Sequence, residues 1–109
     1  ANGYRMTKKL MESGVDFDCV YAIADSIAIG ACKALLENGK KIPQECGVAG
    51  FDGLDETLYY HPSITTIRQP MEKIAEETVR ILFSRLHKGT KNRHRVFPCE
   101  LIERESTMK

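Results

Sequence analysis

Apolar and polar positions recur along this chain at two periods, one helical and one extended, and they change over in an orderly way. Across residues 4–13 a helical repeat puts Met6, Leu10 and Met11 on one face, with Lys8 and Lys9 outside it and Gly14 placed to cap the end. Residues 17–23 form a short, mostly apolar run, the pattern of a strand covered on both faces in a parallel sheet. Asp25 then offers an N-cap carboxylate to a helix that runs to about Asn38 and stops at Gly39. Within it Ala28, Gly30, Ala31 and Ala34 leave a smooth surface suited to close packing of the helix on a sheet. Residues 40–43 turn the chain back, and residues 46–51 are a second apolar strand that ends at Asp52. Strand, helix and strand on short links make a βαβ unit.

Further on the periods are just as distinct. Residues 54–60 form a short helix or an irregular loop, and residues 64–67 are a third, β-branched strand. Pro70 stands where a helix opens. After it Met71, Ile74, Ala75, Thr78, Val79, Leu82, Phe83 and Leu86 keep the 3.6-residue period until Gly89. Glu76 and Arg80, four apart, are expected to pair on the outer side. Residues 88–95 are a basic, polar loop, and residues 95–104 a last extended segment that Pro98 restricts to an edge, a bulge or a crossing between layers.

Composition narrows the function classes. At 109 residues the chain builds one modest domain with a limited core. Sixteen basic residues against fifteen acidic ones give no electrostatic footprint for DNA or an anionic membrane, and no apolar run approaches the span of a bilayer. Cys19, Cys32, Cys46 and Cys99 are scattered in apolar settings, without a CxxC or an adjoining histidine. They are expected to be buried, reduced thiols of a cytoplasmic protein. A zinc site made from them with His61, His87 and His94 is a remote alternative. No nucleophile elbow, phosphate loop or His-Glu-x-x-His is present, so neither an enzyme nor a cofactor or metal site is expected.

Several side chains admit two roles. Asp52 ends a strand between Gly50 and Gly53, where open α/β sheets bind ligands. It can accept two sugar hydroxyls there, or it can close an Asx-turn. Gln69 can reach into a cleft or bond its neighbours at a helix start. Ile29, Tyr59 and Tyr60 can face a partner subunit or fill the core.

The order Gly50-Phe51-Asp52-Gly53, then residues 63–70 as Ser-Ile-Thr-Thr-Ile-Arg-Gln-Pro, with Arg104-Glu105-Ser106 near the end, resembles the effector-binding core of the lactose/galactose/purine-repressor family of bacterial regulators. The resemblance covers nearly the whole chain, but only the C-terminal part of such a protein. It implies an α/β fold, part of a periplasmic-binding-protein-like, Rossmann-like pair of parallel-sheet subdomains. Residues 1–64 then belong mainly to the second subdomain, residues 65–95 are a crossover and a helix of the first, and residues 96–109 return to the second. It implies effector contacts at Asp52, Gln69 and Ala24, and a homodimer interface including Ile29, Tyr59 and Tyr60. The effector is expected to be a sugar or sugar phosphate, and operator DNA is met through an N-terminal domain absent from these residues. The sequence departs from the family at Ala24, where an asparagine often touches the effector. The rival is a periplasmic sugar-binding protein of a transporter, which shares the fold. Unpaired cysteines and the residue 65–70 crossover speak for a cytoplasmic regulator without membrane attachment.

Overall fold

The computed structural model describes residues 2–88 and 94–109, and Gly89, expected to end a helix, lies outside them with most of the basic loop. The elements run α1 (Asn2–Glu12), β1 (Cys19–Tyr21), α2 (Asp25–Glu37), β2 (Gly47–Asp52), α3 (Glu56–Tyr59), β3 (Thr65–Arg68), α4 (Met71–Lys88) and β4 (Glu100–Ile102). Contacts divide the chain into two compact units, Ala1–Arg68 with Glu100–Lys109, and Gln69–Cys99.

The larger unit holds a four-stranded sheet in the order β1-β2-β3-β4. β1, β2 and β3 are parallel, and β4 joins β3 in the opposite sense, pairing Ile67 with Leu101. The expected βαβ unit is therefore present, and the strand following Pro98 takes an edge, where a proline just outside the ladder forfeits no bond. The core lies between α2 and the sheet: Ala28, Cys32 and Leu35 meet Ala22, Ile42, Cys46, Val48 and Ile64.

The small residues of α2 serve two neighbours, where the sequence predicts one. Ala28 and Ala31 are buried, and Ala28 lies over β2: a Cβ on Gly50 would stand 3.2 Å from the Ala28 methyl. Gly30 instead faces α1. A Cβ there would come within 2.7 Å of the Tyr4 nitrogen, and one on Gly3 within 2.1 Å of the Ile27 carbonyl oxygen. The two helices thus meet backbone to backbone, a closeness that side chains would forbid. That contact also corrects the expected face of α1. Gly3 and Thr7 are its buried residues, whereas Met6 is 61% exposed.

β1 differs from expectation as well. Only Val20 turns to the core; Cys19 and Tyr21 point to the opposite face of the strand and are exposed. Two of the four thiols are accordingly not buried. Cys32 and Cys46 are, and burial, with Cys46 beside it, pushes the Cys32 thiol up to about 12. Cys19 and Cys99 lie open.

The C-terminal tail is sewn to β2 and β3 by a hydrogen-bond network centred on Ser106. Ser106 is fully buried: its hydroxyl donates to the Val48 carbonyl and accepts from the Thr65 amide at 2.8 Å. Its own amide donates to the Ser63 carbonyl at 2.9 Å, and its carbonyl accepts from the Val48 amide at 3.0 Å. Arg104 donates to the Ile64 carbonyl at 3.1 Å and to the Thr57 hydroxyl.

In the smaller unit α4 starts directly after Pro70, whose carbonyl accepts the Ile74 amide. The expected Glu76–Arg80 pair is replaced. Arg80 donates through Nε to the half-buried Glu77 at 2.9 Å, and Arg95 approaches the same carboxylate at 3.4 Å. Glu77 is the less solvent-screened of the two carboxylates, at 13% side-chain exposure, and so draws Arg80 more strongly than the exposed Glu76. Val79, Leu82, Phe83 and Leu86 are each more than half exposed.

Candidate functional site

Parallel strands present their carboxyl ends along one edge, and in the larger unit that edge carries residues 22–24 after β1, Asp52 and Gly53 at the end of β2, and Arg68 at the end of β3. Its centre is Asp25. The sequence predicts an N-cap at this position, but the residue that holds the cap geometry is Ala24, at φ −153° and ψ 148°, with no side-chain cap bond. Asp25 is one residue further into the helix, fully buried, and its carboxylate turns across the sheet edge. Oδ2 accepts the amides of Gly53 at 2.8 Å and Leu54 at 2.7 Å. Oδ1 accepts the Thr66 hydroxyl at 2.6 Å.

A charge taken wholly out of water survives only when several donors replace its hydration. Here three do so, and the N-terminus of α2 adds a favourable dipole. Room for the carboxylate comes from Gly50, where a Cβ would stand 2.3 Å from Oδ1. A glycine inside a strand marks such a close approach, and that was the available sign in the sequence. Local capping rules hid it, because they consider only the helix that an acidic residue begins.

What Asp25 holds is an unusual turn. Asp52 has φ 125° and Gly53 φ 82°. For a residue with a side chain such a φ costs on the order of 1–3 kcal/mol, and it persists only where surrounding bonds impose it. Gly53 is needed on two counts: its φ, and a Cβ that would meet Arg68 at 2.7 Å. The far side of the turn is braced too. The Thr57 amide donates to the Leu54 carbonyl at 3.1 Å, the Thr57 hydroxyl donates to the same oxygen, and Arg104 donates to that hydroxyl.

The residues expected at the site are placed as follows. Asp52 is half-buried at the strand end, on the strained backbone. Ala24 is half-buried beside Asp25, and its carbonyl accepts the amides of Ile27 and Ala28. Gln69 is half-buried in the smaller unit, its carbonyl accepting the Met71 amide at 2.9 Å. Of the expected interface residues, Ile29 and Tyr60 pack against the core cluster, and Tyr59 is 82% exposed. Among the described residues no group of three His, Cys, Asp or Glu side chains could hold a metal ion. No helix among them is long and apolar enough to cross a membrane.

Comparison with known proteins places this architecture. A model of the periplasmic binding protein-like domain matches residues 2–107. The lactose operon repressor of Rhizobium radiobacter is 34% identical over 107 residues, covering 98% of this chain and 95% of that sequence. The chain belongs to the lactose-repressor (LacI) family. The HTH-type transcriptional regulator MalR of Clostridium butyricum is 42% identical over 103 residues, 94% of this chain, which spans only 31% of that regulator. A LacI family transcriptional regulator from Enterococcus faecalis V583, solved with bound ribose, superimposes at a TM-score of 0.87 with 35% identity, over 96% of this chain and 39% of that one. The α/β, periplasmic-binding-protein-like fold expected from the sequence is thus the fold found. LacI-family relatives are regulators, so neither the transport protein nor an enzyme is favoured.

Proposed function

We propose that this chain is the C-terminal part of the effector-binding domain of a bacterial transcriptional regulator. Its effector is a sugar or sugar phosphate, as in the relative that holds ribose. Residues 1–64 belong mainly to the second subdomain, residues 65–95 to the crossover and a helix of the first, and residues 96–109 to the return. The compact units divide a few residues from these limits, after Arg68 and before Glu100. Operator DNA is contacted through an N-terminal domain that these 109 residues do not contain. The regulator works in the cytoplasm as a homodimer, and the exposure of Tyr59 favours its part in that interface. Effector binding shifts the equilibrium between two arrangements of the protein, and the DNA affinity follows by linkage.

The observation that carries this proposal is the turn at Asp52. A carboxylate on a strained strand-end backbone, held by a buried charge, is a costly arrangement for a mere change of chain direction. It suits a directional acceptor for ligand hydroxyls. Ala24 lines the same edge without a hydrogen-bonding side chain, and Gln69 is a contact on the family resemblance. In the full-length regulator Asp52→Asn should weaken effector response by roughly tenfold or more, the worth of a charge-assisted hydrogen bond. Operator release titrated with ribose and other sugars measures this. An unchanged response with an intact fold removes Asp52 from the site.

A further inference from the structure

We propose that Asp25 is a positioning residue for effector recognition: fully buried, it fixes the carboxyl-bearing turn at Asp52 in its bound geometry before the effector arrives. This rests on the reading of Asp52 as an effector contact.

The fold does not require a buried charge at this turn. A change of direction after β2 could be made by a glycine at position 52 and a neutral cap, with no charge removed from water. The chain instead keeps a side chain at a φ of 125° and holds the next two amides, Gly53 and Leu54, on one oxygen of Asp25. The other oxygen takes the Thr66 hydroxyl of β3, and the Gly53 amide also lies 3.2 Å from that hydroxyl. The turn is therefore tied to α2 and to β3 at once, while Thr57 and Arg104 brace Leu54 from its carbonyl side. The tied residues immediately follow Asp52, so the direction of its Cα–Cβ bond is set by bonds that the effector never touches.

Such preorganisation lowers the entropy cost of binding, because a correctly aimed acceptor has nothing left to order. It matters more here than where position 24 carries a polar side chain. With Ala24 at the neighbouring strand end, hydroxyl recognition on this edge falls more heavily on the orientation of Asp52.

The two adjacent threonines of β3 supply a matched test. The Thr66 hydroxyl serves Asp25, whereas the Thr65 hydroxyl accepts the Arg104 amide at 2.9 Å and bonds Thr107 at 2.6 Å, in the tail network. Asp25→Asn, Thr66→Val and Thr65→Val are made in the full-length regulator. Each is followed by amide hydrogen exchange over residues 50–58, by thermal melting, and by calorimetric titration with ribose, glucose, maltose and cellobiose. Asp25→Asn should speed exchange in that segment and weaken the sugar bound by the wild type, each by tenfold or more. Thr66→Val should do the same to a smaller degree. Thr65→Val, which reaches the turn only indirectly through the Arg104 backbone, should lower the melting temperature yet disturb both readouts less than Thr66→Val.

Unaltered exchange in Asp25→Asn overturns the proposal, as does a Thr65→Val protein that loses as much affinity as Thr66→Val. Should Asp25→Asn not fold, the threonine pair decides alone. A wild type that binds none of the four sugars counts against the sugar proposed as effector, and the exchange data still decide whether Asp25 sets the turn.

Discussion

Two buried polar networks flank β3, and they hold different kinds of structure. One runs through Thr66 to a single carboxylate, Asp25, and carries a strained turn at the strand ends. The other runs through Thr65 to Ser106, uses neutral groups at its buried centre, and fastens the tail to β2 and β3 through a turn at residues 105–107 whose backbone stays out of the left-handed region. Neutral hydrogen bonds suffice where the backbone is content with its conformation. A charge is used where several amides must be gathered onto one point against the local preference of the chain, because a carboxylate accepts more bonds, and stronger ones, than a hydroxyl. The difference separates a part of the molecule built to stay closed from one built to present a group.

The charged network is where a single substitution should cost most. Asp25→Ala removes the acceptor of the Gly53 and Leu54 amides and the Thr66 hydroxyl, and should cost about 3–5 kcal/mol, since each buried donor left unsatisfied costs on the order of 1–3 kcal/mol. Denaturation of the full-length regulator in urea reads this; a loss below about 1 kcal/mol would mean that water replaces the carboxylate with ease. Gly50→Ala tests the space beneath it. The new methyl would stand 2.3 Å from Oδ1, so a loss of about 1–3 kcal/mol is expected, together with weaker effector binding. Stability lost with affinity intact would detach the turn from recognition.

Ser106→Ala probes the neutral end. It strands the buried Thr65 amide, and about 1–2 kcal/mol should disappear while effector affinity holds. A fall in affinity here would mean that the two networks are one.

The smallest effect belongs to the exposed rim of the tail network. The Ser63 amide and then its hydroxyl, with His61 nearby, hold the Glu105 carboxyl below its usual value of 4.5. A depressed folded value favours the ionised form in the native state. Its stabilisation is therefore present above the unfolded value and is lost as the pH falls through the folded one. Melting temperature followed from pH 6 downward should drop less in Glu105→Gln than in the wild type. Parallel curves would show that solvent screens the contact completely.

Legibility from sequence varied with the range of the forces involved. The strands, α2 with its end at Gly39, and α4 after Pro70 follow from period and punctuation, which are local. The turn at Asp52 was also legible, through its two glycines and its place at a strand end. The role of Asp25 was not, because an acid at a helix start satisfies a local rule and gives no sign that its partners lie 28, 29 and 41 residues away. The face of α1 misled for a similar reason. Of the apolar stripe Met6, Leu10 and Met11 only Met11 reaches the core, because the backbone approach at Gly3 and Gly30 turned smaller residues inward.

By itself, then, the sequence determined the order of elements, the parallel βαβ unit and the family to which the chain belongs, since these rest on periodicity, turn residues and short motifs. Tertiary structure decided which oxygen meets which amide, which glycine yields space to a helix and which to a carboxylate, and which of two adjacent threonines serves the site. Those choices depend on distances between segments far apart in the chain, and only packing the segments together sets such distances.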